Sequence, residues 1–176
     1  MIFEETKLKG SYIIKIEPIS DERGFFARSW CKDEFIKYGL NFNLVQCNIS
    51  FNKKAGTLRG MHYQREPYKE AKLVRCTRGS VYDVILDLRP ESKTFKQWIC
   101  VELTSENRSM VYIPEGFAHG FQTLEDNTEV FYQMSEFYHN ECAEGIRWDD
   151  KAFQIKWPIK EKIISDRDNG YRLFKG

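Results

Sequence analysis

Histidine is scarce in this chain, with three in 176 residues, so a histidine-rich metal cluster is excluded from the outset. Cysteine is limited to five, an odd number without a C-x-x-C pair, which argues against a disulfide framework or a zinc ribbon. The expected state is free thiols in a reducing cytosol. Charge of one sign is also missing: 27 Lys+Arg against 26 Asp+Glu gives a formal net charge of +1, too balanced for a broad nucleic-acid-binding face. No long apolar run exists. The longest charge-free stretch, 38–52, is interrupted by Asn and Gln and falls well short of the roughly 20 apolar residues that cross a bilayer. Met1-Ile2-Phe3-Glu4-Glu5 places acids where a secretory leader needs bases, and the five prolines and eleven glycines are scattered singly. With no linker, repeat or low-complexity tract, the expectation is one domain over 1–176, cytoplasmic, without a membrane or nucleic-acid partner.

What the chain does have is aromatic residues, at 15%, and short alternating runs between turn residues. Tyr12–Pro18, Val81–Leu88, Trp98–Leu103, Met110–Pro114 and Val130–Met134 read as strands, and Lys72–Cys76 suits another. The clearest helix is Lys32–Tyr38, stopped by Gly39 and carrying Asp33 and Glu34 in its first turn. A second short helix is expected near the C-terminus. Many short strands with little helix predict an all-β sandwich or barrel.

Two of the histidines sit in patterned surroundings. His62 lies in Gly56-Thr57-Leu58-Arg59-Gly60-Met61-His62-Tyr63-Gln64, and His119 in Pro114-Glu115-Gly116-Phe117-Ala118-His119-Gly120-Phe121. This spacing resembles the two motifs of the cupin superfamily, which implies a small jelly-roll β-barrel with a few short helices. Metal-binding cupins carry His-x-His and a nearby Glu; here the second histidine is Gln64, and the Glu position falls around Tyr68 or Lys69. Two histidines without a carboxylate or thiolate make a poor divalent site, so no metal is expected. The histidines are then free for acid–base work. Strict alternation would put His62 and Gln64 on one face of a strand and Arg59, Met61 and Tyr63 on the other.

Across nearly its whole length the sequence also resembles the dTDP-4-dehydrorhamnose 3,5-epimerases of nucleotide-sugar biosynthesis. The resemblance is carried by Asp21-Glu22-Arg23-Gly24-Phe25-Phe26, Gln46-Cys47-Asn48-Ile49-Ser50, the first histidine motif, Lys72-Leu73-Val74-Arg75, the second histidine motif, Gly145-Ile146-Arg147-Trp148-Asp149-Asp150 and Ile164-Ser165-Asp166-Arg167-Asp168, in that order along the chain. It implies a substrate with a ketone at C4 of a 6-deoxyhexose, which acidifies the hydrogens on C3 and C5. Inversion then needs a base, a positive group for the developing oxyanion and an acid across the ring. By resemblance the catalytic residues are His62 as base, Asp168 as its carboxylate partner (with Asp166 as the competing assignment), Lys72 near the C4 oxygen and Tyr132 as the acid. No cofactor is implied, because the ketone itself is the electron sink.

Binding residues carry over in the same way. Arg23 and Arg59 match diphosphate contacts, Gln46 and Asn48 hydrogen-bonding positions for base and phosphate, Phe26 a ring stacked near the nucleotide, and His119 and Tyr138 residues around the sugar. Members of this family are homodimers that exchange an N-terminal strand, which would send Arg23 into the neighbouring subunit's pocket. Two alternatives share these parts: an enzyme acting at C3 or C5 alone, or on a CDP-linked or other nucleotide sugar. A non-catalytic nucleotide-sugar-binding cupin would be expected to lack at least one of His62, Lys72, Tyr132 and Asp168.

Overall fold

The computed structural model of the chain describes residues 1–40 and 43–174. Its strands pair antiparallel into two facing sheets. One contains β1 (Ile2–Glu5), β2 (Tyr12–Lys15), β5 (Gln46–Asn52), β7 (Lys72–Arg78), β10 (Met110–Ile113) and β12 (Thr128–Met134), in the order β1-β2-β10-β7-β12-β5. The other contains β6 (Leu58–Gln64), β8 (Ser80–Asp87), β9 (Trp98–Thr104), β11 (Phe117–Thr123) and β13 (Ala143–Gly145), in the order β13-β6-β11-β8-β9. Consecutive strands repeatedly cross from one sheet to the other, as β7 and β8 do across Gly79, and this gives the jelly-roll barrel that the histidine motifs imply. A small hairpin of β3 (Ile19–Asp21) and β4 (Gly24–Phe26) pairs with neither sheet.

Alternation sorts side chains into three apolar layers. Between the sheets, Val74, Cys76 and Val130 from one side meet Val81, Ile85, Leu103, Phe117 and Phe121 from the other. Behind the six-stranded sheet, Ile14, Leu73 and Met110 pack against Phe35 of α1 (Lys32–Lys37). Six residues are too few for a stable helix in isolation. The burial of Phe35, worth about 1.5–3 kcal/mol, and the Met1 ammonium bonded to Glu34 at 2.9 Å dock α1 onto the sheet. Behind the five-stranded sheet, Met61, Val84, Leu86 and Ala118 are covered by Ile146 and Phe153. Because β8 is covered on both faces, its sequence reads as a near-continuous apolar run.

The strands expected from alternation are present, with shifted ends. The first stops at Lys15 rather than Pro18, and the third runs to Thr104. The helix ends at Lys37, with Tyr38 as its cap. The second helix, α2 (Asp166–Asn169), is a single turn capped by Ser165, whose hydroxyl accepts from the Asp168 N–H at 3.1 Å.

Candidate active site

The site is a polar continuation of the rows that build the core between the sheets. Along β7 the inward row runs Cys76, Val74, Lys72; along β12 it runs Val130 and then Tyr132 and Met134. Tyr132 lies opposite Asn48 and Met134 opposite Gln46 in the register of β5. On the facing sheet His119 and His62 are register partners on β11 and β6. These side chains line a cavity of about 650 Å³, a size suited to a small-molecule ligand.

Arg59 lines the same cavity as His62, contrary to strict alternation. The register between β6 and β11 shifts here: His62 pairs with His119 and Arg59 with Phe121, so Gly60 and Met61 together oppose only Gly120. The extra residue reverses the alternation, turns Met61 into the outer layer and brings Arg59 round to the inner face. Two glycines permit the close approach. A Cβ on Gly60 would lie 2.5 Å from the Gly120 Cα, and one on Gly120 would lie 2.8 Å from the Arg59 carbonyl oxygen.

His62 Nε2 is 2.7 Å from Asp168 Oδ1. The carboxylate reaches it because Leu58 N–H donates to the Ile163 carbonyl at 2.8 Å, laying the C-terminal segment along β6 just before α2. The other Asp168 oxygen accepts from the Gly60 N–H at 3.1 Å. Burial alone would raise the Asp168 carboxyl, but the His62 hydrogen bond and charge, with the Gly60 N–H, hold it below its ordinary value. Asp166, the competing assignment, is exposed. With Asp168 on Nε2, the His62 Nδ1 lone pair is left for a substrate.

Across the cavity, Tyr132 is half-buried and its phenol is raised, mainly by burial; the Arg59 charge opposes this and Glu70 adds to it. Lys72 Nζ pairs with Glu70 Oε1 at 2.7 Å. His119 Nε2 is 2.8 Å from Asp83 Oδ2, a pair buried within the barrel. Arg59 Nε donates to Asn52 Oδ1 at 2.8 Å, and Gln46 Nε2 to Asn48 Oδ1 at 3.1 Å. Tyr138 is held over the same opening, its N–H donating to Gln46 Oε1 at 3.2 Å. Of the residues singled out from sequence, His62, Lys72, Tyr132, Gln46, Asn48, Arg59, His119 and Tyr138 line the cavity, and Asp168 stands behind His62.

Arg23 and Phe26 do not join them. They lie on the β3–β4 hairpin, outside this cavity, with Arg23 84% exposed and, among the described residues, paired only to the neighbouring Asp21 at 2.5 Å. Four charges at the cavity escaped the reading of residue types: Glu70, Glu144 and Arg167 on its wall, and Asp83 behind His119. Asp83 carried a usable signal, an acid inside the apolar run of β8. Arg167 donates to the Tyr171 hydroxyl at 2.9 Å and interacts with Tyr138, so it links α2 to the loop over the cavity.

Gln64, where a metal-binding relative would carry histidine, has both ends of its amide engaged. Its Nε2 donates to the Tyr68 and Phe137 carbonyls at 2.8 and 3.0 Å, and its Oε1 accepts from the His139 N–H at 2.6 Å. It ties two loops together, and His139 stacks on Tyr68 beside it. Among the described residues no three His, Cys, Asp or Glu side chains converge as a metal site. Nor, among them, is any helix long and apolar enough to cross a membrane.

Residues 5–176 match the family model described as dTDP-4-dehydrorhamnose 3,5-epimerase. A Shigella flexneri protein of that name is 43% identical over 171 residues, covering 96% of this chain and 94% of the relative. The crystal structure of the Bacillus anthracis enzyme with TDP and PPi bound superposes with a TM-score of 0.95 at 38% identity, covering 98% and 99% of the two chains. The Legionella pneumophila enzyme in complex with dTDP-4-keto-L-rhamnose superposes with a TM-score of 0.91 at 36% identity, covering 98% and 92%.

Proposed function

The chain belongs to the dTDP-4-dehydrorhamnose 3,5-epimerase family, and from that premise we propose that it inverts C3 and C5 of dTDP-4-dehydro-6-deoxy-D-glucose to give dTDP-4-dehydro-L-rhamnose. The observation that carries this reading is the opposition of His62 and Tyr132. They project from different sheets across one cavity, as removal of a proton from one face of a sugar ring and its return from the other require.

The steps follow from the groups present. His62 Nδ1 takes the proton from C3 or C5 while Asp168 steadies the imidazolium that forms. The electron pair moves into the C4 carbonyl, and Lys72 supplies the positive charge that meets the enolate oxygen. Tyr132, kept protonated by its burial, returns a proton from the far side. The ketone serves as electron sink, so the proposed reaction needs no cofactor. Arg59, Gln46 and Asn48, on the rim of the same cavity, suit the diphosphate and base; a guanidinium matches paired phosphate oxygens. His119 and Tyr138 bound the sugar.

Residues 1–176 act in this reading as one cytoplasmic domain, with its five cysteines unpaired. The β3–β4 hairpin is proposed to dock on a second copy. It leaves Ile19 and Phe26 each 74% exposed, and pairing with a partner would cover them and carry Arg23 to the partner's diphosphate site.

Incubation with dTDP-4-keto-6-deoxyglucose in deuterated water, followed by proton NMR, tests the function. Deuterium at both C3 and C5, absent with His62→Ala, is the expected result. Exchange at one carbon alone would make the chain a mono-epimerase, and exchange at neither would overturn the substrate assignment.

A further inference from the structure

Among the charged cavity-lining residues that have no part in the steps above, Glu70 is the buried one. Glu70 lies two residues before Lys72, the first residue of β7; its side chain is 3% exposed, and its Oε1 lies 2.7 Å from Lys72 Nζ. Its second oxygen is buried without a hydrogen-bond partner among the described residues. The backbone beneath it is fixed: the Ala71 N–H donates to Ser135 Oγ at 2.8 Å, the Ser135 N–H donates to the Ala71 carbonyl at 3.0 Å, and Gln64 holds the Tyr68 carbonyl just upstream. Glu70 is therefore a carboxylate on a clamped support, placed against a flexible side chain.

A buried ion pair is a poor source of fold stability, because desolvation offsets the attraction, and an unpartnered carboxylate oxygen makes the balance worse. Glu70 is better explained by what it does to the lysine. A lysine stem has four rotatable bonds, and the cavity offers Tyr132, His62 and His119 as other neighbours for its ammonium. Tied to Glu70 by one N–H, the ammonium keeps two donors for a ligand.

We propose that Glu70 is a positioning residue for the epimerisation, holding the Lys72 ammonium where the C4 oxygen of the bound hexose develops charge. This rests on the role of Lys72 given above. The same negative charge adds to the burial that raises the Tyr132 phenol, against the opposing Arg59, and so favours the protonated acid on the far wall.

The test compares Glu70→Gln with Glu70→Asp, alongside Lys72→Ala and the double variant Glu70→Ala/Lys72→Ala. Readouts are kcat on dTDP-4-keto-6-deoxyglucose and the affinity for dTDP, which does not depend on the hexose. Gln keeps an acceptor at the same reach and is expected to stay within about threefold of the wild-type kcat. Asp keeps the charge but withdraws it by one methylene, and is expected to lose about ten- to a hundredfold in kcat with dTDP affinity unchanged. The double variant should fall no further than Lys72→Ala alone. Asp as active as Gln, losses that multiply in the double variant, or a fall in dTDP affinity matching the fall in kcat would overturn the positioning role. A wild-type protein inactive on this sugar would instead sink the epimerase reading, and an active Lys72→Ala would remove the lysine's role together with that of Glu70.

Discussion

Two imidazole–carboxylate pairs stand side by side in the barrel, with hydrogen bonds of 2.7 and 2.8 Å, and they differ in almost everything else. In the first, the His62 side chain is 40% exposed to the cavity and Asp168 arrives from a segment 106 residues away in sequence. In the second, His119 is 11% exposed and Asp83 is fully buried on the adjacent strand, with one oxygen unpartnered among the described residues. The Asp168 carboxylate is satisfied on both oxygens by His62 and the Gly60 N–H. Hydrogen-bond length therefore does not identify the proton-transferring pair. An open imidazole face, backed by a carboxylate that needs nothing further, is what favours His62 as the base in the proposed reaction.

The contrast predicts unequal losses. His62→Ala is expected to lower kcat by about 10³-fold or more, within the range of general-base removal. His119→Ala should cost about ten- to a hundredfold, because it removes a wall of the pocket and leaves the base in place. Steady-state kinetics on the same 4-keto sugar would settle the order, and equal losses would erase the distinction.

Exchanging the carboxylates for amides sharpens the comparison. Asp168→Asn should reduce kcat about a hundredfold, since an amide neither fixes the imidazole proton on Nε2 nor steadies an imidazolium, while stability changes little. Asp83→Asn should act mainly on stability, by about 1–3 kcal/mol in denaturant unfolding, because it disturbs a bond buried in the barrel.

The smallest effect concerns Asp87, a buried carboxylate with no histidine. Burial pushes it up, but Arg89, Ser92 and Thr94 outweigh this and hold it at about 2, against an ordinary 3.8. A depressed carboxyl contributes stability above its unfolded value and loses it as pH falls through the folded one. Roughly 2 kcal/mol should therefore disappear between about pH 4 and pH 2, and Asp87→Asn should flatten that part of the acid-unfolding curve.

Much of this was legible in the residues. Alternation and turn residues marked Tyr12, Val81, Trp98, Met110 and Val130 as lying in strands, because burying one face leaves a period of two in the sequence. The helix at Lys32 was marked by its acidic first turn and by Gly39. The facing of Arg59 was not legible, since it depends on Gly60 and Met61 together facing Gly120 alone on the neighbouring strand, which only the register reveals. Glu70 was hidden for another reason: its meaning comes from Lys72 two residues on, and a Glu near a Lys is ordinarily a solvated pair. Arg23 and Phe26 were picked out as binding residues, yet within one chain they stay outside the cavity, and the proposed second copy is what would bring them in. Mixing Arg23→Ala with His62→Ala protein checks that account. Hybrid dimers should contain one complete site each and restore up to about a quarter of the wild-type activity, whereas an Arg23 acting within its own chain would restore none.

The central claim is that base and acid work from opposite walls of one cavity, and Tyr132→Phe in deuterated water tests it most directly. With His62 intact, deuterium should still enter C3 and C5 of the starting sugar while inverted product falls about a hundredfold. Inversion at the wild-type rate, or loss of exchange together with inversion, would contradict the account.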